Sequence, residues 1–144
     1  MIDRIKDLIK ARDICVLATV SEETPHCSLM AYATDDACRE IYMVSHGQTT
    51  KFRNMTENPA VSLLIDTREE HTGPRRPEAQ AITLDGIYEK IEDGKKEDLV
   101  RSKLLERHPH LNSFMADPGT EILCIRIRSF LLLDGIDKAY FEEL

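Results

Sequence analysis

Ile2, Ile5, Leu8 and Ile9 recur at helical spacing with charged residues between them, so the chain opens on an amphipathic helix predicted to end near Ala11-Arg12-Asp13. The period then changes. Residues 14–20 form a short run rich in branched side chains, predicted as a strand, and the polar stretch 21–25 turns it into a hairpin. A second strand is expected over about residues 26–34, the Asp35-Asp36 turn follows, and residues 40–44 make a third, completing an antiparallel meander. Residues 49–57 read as a short helix in which Phe52 and Met55 share a face, stopped by Asn58-Pro59.

A fourth strand covers residues 60–65, and residues 67–79, polar with two prolines and one glycine, form a long connection. From Gln80 to Ile91 the apolar residues fall on even positions before Gly86 (Ile82, Leu84) and on odd positions after it (Ile87, Ile91). A bulge or bend at Gly86 accounts for the switch. Asp93 caps a helix predicted through about Arg107, with Leu99, Val100, Leu104 and Leu105 facing inward, and His108-Pro109 breaks it. A further turn holds Leu111, Phe114 and Met115. After the turn at 117–119, Leu123, Ile125 and Ile127 alternate with Cys124, Arg126 and Arg128 in a last strand that runs through Leu133. The order α-β-β-β-α-β-β-α-β, with connections too short for parallel crossovers, predicts a mainly β (α+β) fold, a six-stranded antiparallel barrel with flanking helices.

Composition narrows the function classes. At 144 residues, one domain is expected. The residues are 42% hydrophobic and 31% charged, with apolar runs of only a few residues, which points away from disorder and from the membrane. A formal charge of −7 with scattered basic residues makes nucleic acid a poor partner. The N-terminus interleaves charge with apolar residues and shows no secretory pattern, so a cytoplasmic protein is expected. Cys15, Cys27, Cys38 and Cys124 lie on or beside apolar strand-like stretches with no C-x-x-C pair. Reduced, partly buried thiols are expected rather than disulfides or a metal site.

The segment Val44-Ser45-His46-Gly47-Gln48-Thr49-Thr50-Lys51 carries the candidate chemistry. It runs from a strand end through a glycine into a helix start bearing two hydroxyls and a lysine. Free N–H groups in a first helical turn and the positive end of the helix dipole favour an anion, and Lys51 adds a full charge. The plain alternative is that Thr49 is only an N-cap and Lys51 a solvated side chain. The spacing is not that of a Walker loop.

These elements, with the Ile41-Tyr42-Met43-Val44-Ser45 strand, the Thr-Thr-Lys helix start and the Asn58-Pro59-Ala60-Val61-Ser62-Leu63-Leu64 strand, resemble the FMN-binding split barrels related to pyridoxamine 5′-phosphate oxidase. The likeness is strongest over residues 1 to 90. It implies a split barrel that binds FMN between two copies of the chain. Thr49, Thr50 and Lys51 would hold the phosphate, with Thr50 standing where the oxidases have Arg. Val44 and Ser45 would lie along the ribityl chain, and the backbone of Ser28, Leu29, Met30 and Ala31 along the pyrimidine edge. Gln80 is suggested as a residue that completes the site of the other copy. The oxidases' C-terminal Arg-Leu segment and substrate-binding set have no counterpart in residues 126–130, so pyridoxamine phosphate oxidase activity itself is not expected.

The resemblance implies a flavin-dependent oxidoreductase or flavin reductase acting on a small molecule, with no residue marked as catalytic. A non-catalytic FMN carrier or sensor, or a relative using haem or a deazaflavin, stays open. His46 either hydrogen-bonds the flavin or fills a turn. Tyr32, Tyr42 and Tyr88 are ordinary half-buried strand residues before they are flavin-stacking ones. His108-x-His110 lacks the further ligands of a metal site.

Overall fold

The computed structural model describes all 144 residues. Helix α1 (Ile2–Ala11) buries Ile5 and Ile9, its apolar stripe, against the sheet. Strand β1 (Ile14–Ser21) turns at Glu22, whose φ is +55°, into β2 (Thr24–Ala31). The hairpin sets Val16 opposite Leu29 and Leu17 opposite Ser28. Next come β3 (Ala33–Thr34), β4 (Glu40–His46), α2 (Thr50–Glu57), β5 (Ala60–Asp66) and β6 (Gln80–Glu89). The chain closes with α3 (Gly94–Arg107), α4 (Asn112–Ala116), β7 (Thr120–Asp134) and β8 (Lys138–Glu143).

All strands join one antiparallel sheet in the order β2-β1-β5-β6-β7-β4-β3, with β8 added on β7. Strands β4 and β8 lie end to end along one edge of β7, taking Thr120–Arg126 and Ser129–Asp134 respectively. Both ends of the sheet meet where the chain passes from β2 to β3 through the single residue Tyr32, yet no ladder joins β2 to β4. The sheet therefore curls into a split barrel. Its interior holds Leu17, Ile41, Met43, Leu63, Ile65, Leu84 and Phe130, and a smaller cluster under α3 and α4 holds Val44, Val100, Leu104 and Met115.

The antiparallel split barrel agrees with the sequence reading, but the expected six strands do not. Seven strands have six residues or more, and the two-residue β3 is an eighth. The expected second strand is interrupted at Tyr32, which is fully buried, donates its hydroxyl to the Ile9 carbonyl and keeps its backbone N–H on the Asp13 carbonyl at 3.0 Å. The connection 67–79 contains a 3₁₀ helix over Gly73–Glu78.

Leu99, expected inward, is 53% exposed, and Cys27 is exposed while the other three cysteines are buried and free. The register does shift between Asp85 and Gly86. Gly86 is required by close approach rather than by left-handed backbone angles. A β-carbon there would lie 2.7 Å from the Arg126 carbonyl oxygen and from Ile125 Cγ2.

Candidate functional site

The split leaves two strand edges facing open space. Strand β2 pairs only with β1, and residues 43–46 of β4 pair only with β7, so their other backbone edges have no ladder partner. A cleft of about 410 Å³ lies between them, within the size range of cofactor pockets. Leu29, Met30 and Ala31 line one side, and Val44, Ser45 and His46 the other. Consecutive residues of a strand point to opposite faces, so three in a row can share one cavity only along the strand's edge. The cleft thus approaches backbone amides and carbonyls rather than a side-chain face.

Helix α2 begins at one end of the cleft. Thr49 is its N-cap, with Oγ1 accepting from the Phe52 amide at 3.3 Å. The same oxygen donates to the His46 carbonyl and lies 3.0 Å from Ser45 Oγ, which also bonds that carbonyl. Ser45 is buried, and Thr49 and Lys51 line the cleft. Lys51 enters none of the molecule's ion pairs. A free ammonium beside the first turn of an eight-residue helix gives this end of the cleft positive character.

Eight of the eleven residues singled out in the sequence thus surround one cavity: Leu29, Met30, Ala31, Val44, Ser45, His46, Thr49 and Lys51. The other three do not line it. Ser28 sits one residue further along β2, and Thr50 is an exposed first residue of α2. Gln80 starts β6 and places Nε2 3.2 Å from the Asp134 carboxylate. Two lining residues were not singled out for the site, Leu111 and Phe114. Phe114 meets the His46 ring edge-on, with centroids 4.7 Å apart. Their apolar character is visible in the sequence, but their place beside β4 depends on tertiary packing some 65 residues along the chain.

Two other groups that invite attention are paired within the chain, although Arg12 Nε is buried without a hydrogen-bond partner. A depression near Arg12 and Arg68 holds no free cation, because Arg68 pairs with Asp66 and Arg12 with Glu70. His108 is buried, with Nε2 2.8 Å from the Tyr32 carbonyl, and no cluster of metal-ligating side chains exists around it.

The family profile described as pyridoxamine 5′-phosphate oxidase matches residues 1–134, nearly the whole chain. The chain belongs to the pyridoxamine 5′-phosphate oxidase family. No curated protein sequence matches it. Among solved structures it is similar to a haem-binding protein from Mycobacterium smegmatis, with TM-score 0.85 and 16% identity over 96% of this chain and 55% of that one. It is also similar to ChuZ from Campylobacter jejuni, with TM-score 0.84 and 12% identity over 98% and 58% of the two chains. A third similar structure is a FAD-binding protein from Mesorhizobium loti, with TM-score 0.76 and 20% identity over 99% and 95%. The chain therefore spans little more than half of the first two neighbours and nearly all of the third. At these identities the likeness is one of fold. No helix is long and apolar enough to cross a membrane.

Proposed function

We propose that the chain binds FMN in the β2–β4 cleft and acts, as a homodimer, as an FMN-dependent oxidoreductase or flavin reductase on a small molecule. The observation that carries this is Lys51, an unpaired cation at the start of α2, placed at one end of a cleft otherwise walled by open strand edges and apolar side chains. A phosphate suits the helix start, where Lys51 and the first-turn amides can bind it. An amphipathic ring edge suits the amide and carbonyl groups of Leu29 to Ala31, and the apolar ring body suits the half-exposed Leu111 and Phe114. Bound flavin would supply hydride or electron transfer, while this chain binds, orients and limits water.

The dimer rests on a row across the outer face of the sheet. The register sets Leu29 beside Val16, Val16 beside Leu64, Leu64 beside Thr83, Thr83 beside Leu131, and Leu131 beside Phe141. Leu29 is 71% exposed and Phe141 60%, an unusual apolar display on a sheet face. A second copy laid on this row would cover it beside the cleft, and Gln80, absent from its own chain's cleft, is the candidate to serve the other copy's. The exposed Cys27 thiol on β2 suits a reducing compartment such as the cytoplasm.

Two alternatives keep the same cleft: an FMN carrier or sensor without turnover, and a haem-binding relative. His46, whose exposed ring lines the cavity, is the observation that favours haem. Visible spectra of the purified protein with FMN or hemin, followed by anaerobic NADH or NADPH, separate them. Retained flavin that bleaches supports a reductase, and retained flavin that does not bleach supports a carrier or another donor. A Soret band without flavin retention overturns the flavin reading. A monomer at micromolar concentration overturns the dimer.

A further inference from the structure

The cleft has a third side that belongs to neither strand. Leu111 and Phe114 come from the segment between α3 and β7 and reach the cleft beside His46. This segment is fixed from behind. Met115, next to Phe114, is 5% exposed within the cluster under α3, and Arg101 Nη1 on α3 donates to the Met115 carbonyl at 3.2 Å. The 3₁₀ turn Pro109–Leu111 follows the buried His108 directly, so Leu111 is also held close to an anchored residue. Phe114 packs its ring edge-on against His46, with an interplanar angle of 69°. That contact covers part of the imidazole and ties its position to the segment.

Resting on the flavin reading above, we infer that Leu111 and Phe114 are the specificity wall of the cleft. They limit its width so that a narrow tricyclic ring enters and a broad porphyrin macrocycle does not. The wall acts by steric limit and by apolar contact. The backbone under Phe114 is held by the buried Met115 and the Arg101 contact, and its ring rests on His46, so a wide ligand must give up that ring packing to enter. A narrow ring gains apolar contact with the same atoms. The polar end of the cleft, at Lys51, does not discriminate between the two ligands, since FMN carries a phosphate and haem carries propionates.

The test is the ratio of FMN affinity, read by quenching of flavin fluorescence, to hemin affinity, read by the Soret band. Parent protein is compared with Phe114→Ala, Leu111→Ala and Phe114→Leu. Phe114→Ala should lower the FMN-to-hemin ratio about tenfold or more, as loss of one aromatic contact and opening of the wall act in the same direction. Leu111→Ala should lower it less, and Phe114→Leu, which keeps an apolar wall, should restore most of it. If Phe114→Ala does not fold, Leu111→Ala alone decides the sign. A ratio unchanged in the folded alanine variants overturns the wall. Should the parent retain no FMN, the flavin reading falls separately. The wall is then read on hemin, where tighter binding by the alanine variants supports it and equal binding overturns it.

Discussion

The two ends of β4 carry polar clusters of opposite character. At the Glu40 end, the carboxylate accepts from Lys96 Nζ at 2.8 Å, the Tyr42 hydroxyl at 2.9 Å and Cys124 Sγ at 3.2 Å. Burial, reinforced by the hydrogen bond to Glu40, pushes the Cys124 thiol up to about 12, so it stays a protonated donor and not a nucleophile. At the His46 end, Ser45 and Thr49 satisfy each other and the His46 carbonyl, but Lys51 has no ionic partner and the β2 and β4 edges stay open. A charge whose partner is built into the chain holds an element in place, here α3 on the sheet. A charge left without one is available to a ligand. Charge alone therefore does not mark the candidate site, and neither does the lack of an ion-pair partner, which Lys51 shares with Lys6, Lys10 and Arg53. What sets Lys51 apart is that it is unpaired and lines the cleft.

Both ends depend on one frame, and the most severe test removes it. Gly86 lies in β6 opposite β7, the strand that also carries β4. Gly86→Val places a β-carbon against a backbone oxygen that cannot give way. The expected cost is about 3 kcal/mol, a fall in melting temperature of roughly 10 °C. FMN retention and the solvent protection of the Cys124 thiol should decline together on warming. A melting temperature equal to the parent's would show that the bulge accommodates a side chain.

The next effect separates the ends. Lys51→Ala removes the one full charge assigned to a phosphate, worth about 1.5–3 kcal/mol for a charge-assisted hydrogen bond, so FMN should bind roughly 10- to 100-fold more weakly. Because Lys51 is tied to nothing within the chain, the melting temperature without ligand should stay within about 1 °C of the parent's. Unchanged FMN affinity in a fluorescence titration removes Lys51 from the site. A large loss of stability would erase the contrast with the Glu40 end.

How far these features were legible in the sequence follows from how local their causes are. The β4–α2 junction could be read because a strand end, a glycine, a hydroxyl cap and a lysine lie within eight consecutive residues, and capping chemistry acts over three or four. The parity switch at Gly86 was legible for the same reason, although its cause, the approach of Arg126, was not. Strand β8 was missed because Lys138, Glu142 and Glu143 leave only Tyr140 packed on the core, too weak a period to declare a strand. The Tyr32 hydroxyl finds its partner on α1, at the Ile9 carbonyl, and the wall of Leu111 and Phe114 depends on packing under α3. Gln80 lies outside its own chain's cleft, and the place proposed for it in the other copy's is one that periodicity within one chain does not report.

The smallest expected effect sharpens the comparison from the closed end. Burial works to raise the Glu40 carboxyl, and the hydrogen bonds from Lys96, Tyr42 and Cys124 together outweigh it, leaving the group below its usual value. A carboxyl lowered by folding stabilises fully above its unfolded value, near pH ~4.3, and loses that contribution as pH falls through the lower folded value. The parent's melting temperature should therefore fall more steeply below about pH 4.5 than that of Glu40→Gln, with the two curves converging in acid. Lys51→Ala should run parallel to the parent over the same range, because no carboxylate of the chain pairs with it. Parallel curves for all three proteins would mean that the Glu40 cluster holds α3 by packing alone, and that the two ends of β4 differ in burial and not in the pairing of charge.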